Sequence, residues 1–356
     1  MKILQVITSL RTGGAEKLVV DLTISLRKKG HQVDVALFDG IETPFKQRLA
    51  ESGCQVICLG HSMTSPRCML PLMRLMRKYD VVHTHNTYPQ LYAAVDRLFV
   101  KRALVTTEHS TFNRRRGHWL LRQADRWMYS KYDAVACISD KAREYLVEEI
   151  GSQKNTMTVY NGVDVESFRK AEPLSGLNSS MKRFVVVMVA RFEPPKDQDT
   201  LIRAMALLPP DDFELWMVGD SFRRSELQQL AKDLKVDGRT RFLGIRTDVP
   251  NILHAADAVV MSSHYEGLSL SSIEGMAVGK PFVASDVDGL HEITAGAGIL
   301  FKEGDEKELA AVLLRLKDDK EYYQSVAQAC LERARKYDIT KTVDEYEAIY
   351  HSIVEK

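Results

Sequence analysis

The chain has 356 residues, 45% hydrophobic and 27% charged, the composition of an ordinary soluble globular protein long enough for two cores. Its longest uninterrupted apolar run, Phe184 to Ala190, falls far short of a membrane span, and Met1-Lys2-Ile3-Leu4-Gln5-Val6-Ile7 leads directly into a strand with no cleavable leader. Five cysteines without a CxxC pair fit a reducing cytosol, and the near-neutral total hides a basic first half, 26 Lys/Arg against 17 Asp/Glu over residues 1–170, and an acidic remainder of 23 against 31.

Lys2 to Thr8 reads as a strand, and Gly13-Gly14-Ala15-Glu16 opens a helix with Leu18, Val19, Leu22 and Leu26 on one face. Glycines between first strand and first helix let a ligand approach backbone amides at a helix N-terminus, although they also serve simply to make the turn. The pattern is not GxGxxG, and no acidic residue follows at dinucleotide spacing. Gln32 to Phe38, Tyr79 to His85 and Ala103 to Thr107 are further strands alternating with helical stretches, which predicts a parallel doubly wound sheet. His83 and His85 share one strand face; with no third ligand near in sequence, a hydrogen-bonded strand-end pair is favoured over a metal site. His109 follows the next strand and is placed toward the same crevice as Gly13-Gly14.

From Arg97 to Lys131 the chain carries nine Lys/Arg against Glu108 and Asp125 alone, interleaved with Trp119, Leu120, Leu121, Trp127, Met128 and Tyr129. Basic residues beside interfacial aromatics fit an anionic membrane face or an anionic acceptor, and they fit a solvated helix face equally. No nucleic-acid module is present, so nucleic acid is not expected as a partner. Asp133 to Ser139 is another strand leading to a Ser139-capped helix, and Thr158 to Asp164 a strand ending in an Asn161-Gly162 turn.

Ala171 to Met181 has linker composition. Arg183 to Ala190 starts a second domain, followed by Arg191-Phe192-Glu193-Pro194-Pro195-Lys196. Two cations on a proline-stiffened loop suit a diphosphate, with Arg as fork and Lys as point charge, although the spacing also fits an ordinary surface loop. Phe213 to Val218, Arg241 to Leu243, Ala258 to Met261 and Phe282 to Ser285 are the next strands. Between the last two lies His264-Tyr265-Glu266-Gly267-Leu268-Ser269-Leu270-Ser271-Ser272-Ile273-Glu274, a loop running into a helix. Glu266 follows the strand end, where ligands bind in open α/β sheets. Ser271-Ser272-Ile273-Glu274 also fits a capping box.

Taken in order, Gly13-Gly14-Ala15-Glu16, Asn161-Gly162-Val163-Asp164, Arg191 with Lys196, Gly244-Ile245-Arg246-Thr247-Asp248-Val249, and Glu266 with Glu274 make the whole chain resemble glycosyltransferase family 4. The resemblance implies the α/β GT-B fold: two Rossmann-like, doubly wound domains facing across a cleft. The first, 1–170, would be acceptor-side, with a last helix at about 340–356 packing back on it; the second, 182–335, would hold a nucleotide-sugar. It also implies site roles. Arg191 and Lys196 would hold the donor diphosphate and stabilise the leaving group with no metal and no cofactor. Glu266 would face the donor sugar, Glu274 the ribose hydroxyls, and Ile245 and Arg246 the base. Amides of Leu268, Ser269, Leu270 and Ser271 would meet phosphate and sugar, Gly14 the phosphates, and His109 the sugar.

The expected activity is retaining transfer, most often from a UDP-sugar, to a glycan or lipid-linked acceptor in cell-envelope polysaccharide synthesis. The enzyme is expected in the cytoplasm, with the 97–131 stretch as a possible peripheral contact to the inner face of the membrane. Two alternatives stand beside it: a nucleotide-sugar epimerase of GT-B shape, and a non-catalytic subunit that binds a membrane or partner. In Gly219-Asp220-Ser221, serine stands where many relatives carry a second glycine.

Overall fold

The computed structural model describes residues 1–355 apart from 12, 61, 63, 110–118, 152–154, 175–182 and 267–268. Apolar runs that are buried on both faces give parallel strands covered by helices. In the first unit these are β1 (Lys2–Ile7), β2 (Gln32–Leu37), β3 (Val56–Cys58), β4 (Val81–His85), β5 (Ala103–Glu108), β6 (Ala134–Cys137) and β7 (Thr156–Thr158). The second has β8 (Phe184–Val189), β9 (Phe213–Val218), β10 (Thr240–Gly244), β11 (Ala258–Met261), β12 (Phe282–Ser285) and β13 (Ile299–Phe301). The sheet orders are β3-β2-β1-β4-β5-β6-β7 and β10-β9-β8-β11-β12-β13. Each order reverses beside its first strand, at β1/β4 and at β8/β11, and crevices open beyond the strand ends at such reversals.

The chain divides into Met1–Gly162 with Ile339–Lys356, and Val163–Asp338. In the first unit, helix Gly14–Lys28 buries Leu18, Val19, Leu22 and Leu26. Helix Ile339–Val354 buries Ile339, Thr342, Val343, Tyr346 and Tyr350 at helical spacing, and its apolar stripe joins Leu18, Leu22, Leu26 and Ile3 in one core.

The division falls earlier than the linker-like composition after residue 170 indicates. Val163, Val165 and Phe168 already belong to the second unit's core, and Asn251 Nδ2 donates to the Glu172 carbonyl at 2.8 Å. The Asn161-Gly162 pair makes no turn, and the strand before it stops at Thr158. A Cβ on Gly162 would lie 2.8 Å from Ile339 Cα and 2.6 Å from Thr342 Oγ1, so glycine serves close approach to the returning chain rather than reversal of direction.

Candidate active site

Lys196, which sequence reasoning assigned to the diphosphate, and Glu266, assigned to the sugar, meet at the β8/β11 switch point. Beyond β8, Pro194–Lys196 forms a single 3-10 turn, its φ angles preset by two prolines. Asp197 then takes a left-handed conformation, φ 44°, and caps helix Gln198–Ala206 by accepting from the Thr200 amide and hydroxyl. Aspartate tolerates that region because its short side chain bonds locally. Two bonds tie this turn to the segment after β11: Ser262 Oγ donates to the Asp197 carbonyl at 2.6 Å, and the His264 amide to the Pro195 carbonyl at 2.9 Å.

The cross-link places Lys196 Nζ 2.5 Å from Glu266 Oε1, with Glu266 nearly buried and Lys196 about one-fifth exposed. Ser263 Oγ donates to the same carboxylate oxygen at 2.8 Å, and Ser285 Oγ holds the Ser263 carbonyl at 2.5 Å. Neither serine was singled out from sequence; the serine pair Ser262-Ser263 just after β11 and the serine that ends β12 were the available signal. Arg191 is on the same loop, yet its side chain is 66% exposed and pairs with Glu193 at 3.1 Å. Its carbonyl accepts from Gln198 Nε2 at 2.8 Å, so the backbone is fixed while the guanidinium reaches solvent.

Helix Leu270–Ala277 begins at Ser269, whose side chain makes no cap hydrogen bond. The Ser271 capping box is therefore not how this helix starts. Starting one residue before Ser271 brings Leu270 into the second unit's core, which outweighs one cap bond. The first-turn amides at Leu270 and Ser271 precede the intrahelical ladder, and Glu274 is 94% buried, at 6% relative exposure, in the second turn. Gly275 lets the helix sit on the sheet: a Cβ there would be 2.8 Å from Val259 Cγ1 and 3.1 Å from Phe282 Cδ2. Leu268 lies outside the described residues.

At the β9 and β10 ends, Gly219 has φ 134° and its added Cβ would stand 2.0 Å from the Ala190 carbonyl oxygen. The close approach here is therefore between strand ends, and it is met by Gly219 alone, with Ser221 bonding Asp220 through its amide at 2.9 Å. Ile245 is 68% exposed. Arg246 grips Asp248 through two bonds, 2.8 and 2.6 Å.

In the first unit, Gly14 is exposed at the start of its helix, after Gly13 in extended conformation. His109 follows β5. Its Nε2 lies 3.0 Å from His85 Nδ1, and burial pushes its pKa down to about 4. His83 and His85 are fully buried and hydrogen-bonded, as the strand-end pair the sequence suggested. Among the described residues no group of three His, Cys, Asp or Glu is arranged to hold a metal ion.

The 97–131 surface carries exposed Leu98, Phe99, Trp119, Leu120 and Trp127. Its arginines are partly committed. Arg122 and Arg126 donate to the carbonyls of Glu148, Glu149 and Ile150, capping the end of helix Asp140–Ile150, and Lys131 lies 5.4 Å from the Trp127 ring. The Arg114-Arg115-Arg116 run is outside the described residues. No described helix is long and apolar enough to cross a membrane.

Comparison with known proteins adds to this geometry. Residues 12–167 match the model for Glycosyltransferase Family 4 and residues 172–336 that for Glycosyl transferases group 1. N-acetyl-alpha-D-glucosaminyl L-malate synthase of Bacillus anthracis is 26% identical, over 77% of this chain and 75% of its own. UDP-Gal:alpha-D-GlcNAc-diphosphoundecaprenol alpha-1,3-galactosyltransferase of Escherichia coli is 26% identical, over 94% and 89%. Among solved structures, Anabaena HepE in complex with UDP and glucose superposes with a TM-score of 0.86 at 24% identity, over 99% of this chain and all of that one.

Proposed function

For a chain that belongs to glycosyltransferase family 4, has the GT-B fold and acts on nucleotide sugars, we propose retaining transfer from a UDP-sugar to a glycan or lipid-linked acceptor of the cell envelope. The observation that carries this reading is the Lys196–Glu266 pair across the β8/β11 switch point, beside the uncapped start of helix Leu270–Ala277. A cation, a carboxylate and free helix amides together suit a diphosphate joined to a sugar. The preference for UDP and for a lipid-linked acceptor is supported by the donor and acceptor printed in the E. coli relative's name and by UDP in HepE.

In this proposal Lys196 and Arg191 stabilise the leaving diphosphate electrostatically, with no metal or other cofactor. Glu266 faces the donor sugar, Glu274 takes the ribose hydroxyls, and Ile245 and Arg246 serve the base. Amides of Ser269, Leu270 and Ser271 serve phosphate and sugar. His109 and the Gly14 amide are assigned to the sugar and the phosphates. The bond from anomeric carbon to diphosphate oxygen breaks while the acceptor oxygen attacks the same face, and the leaving diphosphate takes the acceptor's proton.

We assign the protein to the cytoplasmic side of the membrane, with Phe99, Trp119 and Leu120 as the contact. The decisive experiment is product analysis with UDP-sugars, GDP-sugars and a lipid-linked acceptor, in EDTA. Retained anomeric configuration in a product made from a UDP-sugar supports the proposal. Conversion of the donor alone into another nucleotide-sugar establishes the epimerase instead, and a strict need for added metal overturns the cation assignment.

A further inference from the structure

A single file of hydrogen bonds links His109 to the last helix of the chain. His109 Nε2 faces His85 Nδ1 at 3.0 Å, and His85 Nε2 faces Gln5 Oε1 at 2.8 Å. Gln5 Nε2 donates to the Tyr350 hydroxyl at 3.4 Å, which meets His83 Nδ1 at 2.7 Å. His83 Nε2 then meets Thr107 Oγ1 at 2.7 Å, and Thr107 Oγ1 meets Tyr346 Oη at 2.7 Å. Gln5, His83, His85, Thr107, Tyr346 and Tyr350 are each 0% exposed, so the file is shut off from bulk solvent.

Every side-chain nitrogen and oxygen of Gln5, His83 and His85 is used once. A neutral imidazole has one donor and one acceptor nitrogen, so fixing the direction of one bond fixes the next. The carboxamide oxygen of Gln5 on His85 makes His85 Nε2 the donor and leaves His85 Nδ1 as acceptor. His109 Nε2 must then carry the proton, and His109 Nδ1 is the bare lone pair. It is also the one ring nitrogen of the three histidines that is buried with no partner among the described residues. Burial lowers the pKa of all three histidines, which keeps them neutral and gives the tautomer meaning.

We propose that Tyr350 is a positioning residue: acting through Gln5 and His85, its hydroxyl locks His109 in the tautomer with Nε2 protonated and Nδ1 presented as an acceptor. An acceptor at Nδ1 selects a hydroxyl or N–H donor on whatever His109 meets. That consequence for sugar binding rests on the role of His109 given above, whereas the lock itself does not.

The test is ring-nitrogen NMR on the full-length protein labelled with 15N-histidine, with the His109 signals identified by their loss in His109→Gln. The expected wild-type spectrum has one His109 tautomer, protonated at Nε2, and the same tautomer at His83. In Tyr350→Phe the carboxamide of Gln5 loses its anchor, and His109 is expected to show both tautomers in comparable amounts. Gln5→Met breaks the file at a second point and is expected to do the same, should the phenylalanine variant fold poorly. A wild-type His109 protonated at Nδ1, or an unchanged single tautomer in both variants, overturns the proposal. Mixed tautomers with an unchanged transfer rate uphold the lock and remove His109 from the sugar site.

Discussion

Lys196 Nζ and Glu266 Oε1, seventy positions apart in sequence, meet at 2.5 Å across the strands where the second sheet reverses order. The carboxylate keeps the ammonium from wandering and lowers its net field, so the two substitutions separate. Lys196→Ala is expected to lower kcat by about 100–1000-fold, the effect of losing one preorganised charge stabiliser. Glu266→Gln leaves the ammonium in place with its charge unopposed. UDP affinity should rise while kcat falls, and calorimetric titration beside steady-state kinetics reads both. Weaker UDP binding in Glu266→Gln would refute the assignment.

Glu274 is nearly buried at the start of the second turn of its helix. If it accepts from ribose hydroxyls, Glu274→Ala removes charge-assisted hydrogen bonds worth about 1.5–3 kcal/mol. UDP binding should weaken by about 10–150-fold, read by calorimetric titration on the folded variant. Equal UDP affinity in the variant would leave Glu274 as a core residue only.

Gly219→Ala tests the frame around that site. A Cβ would stand 2.0 Å from the Ala190 carbonyl oxygen, at a φ of 134°, so neither backbone nor neighbour accommodates it. A cost of about 3 kcal/mol or more is expected, seen as a lower denaturation midpoint. Because Ala190 immediately precedes Arg191, nucleotide binding should weaken as well. A variant of native stability would show that the strand ends do not need this contact.

Acid should loosen the first unit before it affects most carboxylates. His83, His85 and His109 all have pKa values below the ordinary 6.5 because they are buried, His109 at about 4. The unfolded chain binds these protons first, so stability is complete above pH 6.5 and falls as pH drops from 6.5 toward 4. The slope reaches about 1.4 kcal/mol per pH unit for each histidine. Denaturation at pH 7, 6 and 5 measures it, and His109→Gln should reduce the slope by one proton. A flat profile over that interval would contradict the buried, neutral assignment.

Membrane contact has its own readout. Trp119 is 71% exposed and Leu120 63%, and burying each such side chain yields about 1.5–3 kcal/mol. The double substitution Trp119→Ser, Leu120→Ser should cut co-sedimentation with phosphatidylglycerol vesicles at least 10-fold and leave transfer to a water-soluble acceptor unchanged. Equal sedimentation would end the proposal for this surface.

Much of this was readable from residues. Alternating apolar runs and helical stripes announced parallel sheets, and Arg191, Lys196, Glu266 and Glu274 were given roles by the resemblance to glycosyltransferase family 4 that their order carries. What sequence did not reveal was who holds whom. The Lys196–Glu266 pair, its Ser263 support and the Gln5–Tyr350 link, separated by 345 positions, depend on strand order, which local pattern does not encode. The true start of helix Leu270–Ala277 was hidden because local capping chemistry and core burial favour different residues. His83, His85 and His109 were the visible marks of the buried file; Gln5, a polar residue among the apolar residues of its strand, was a further one that went unread.

The first unit is closed by a helix, Ile339–Val354, that is translated after the whole of the second unit. Its sheet is complete once Thr158 has been made, yet Tyr346 and Tyr350, which complete its core, emerge only after all of Val163–Asp338. During synthesis the continuous second unit is free to fold as soon as it leaves the ribosome. The first must wait, with the Leu18, Leu22 and Leu26 face uncovered, for helix Ile339–Val354 to return. Lesions that stop the chain between Asp338 and Ile339 would therefore damage the unit made first, although they remove none of its strands.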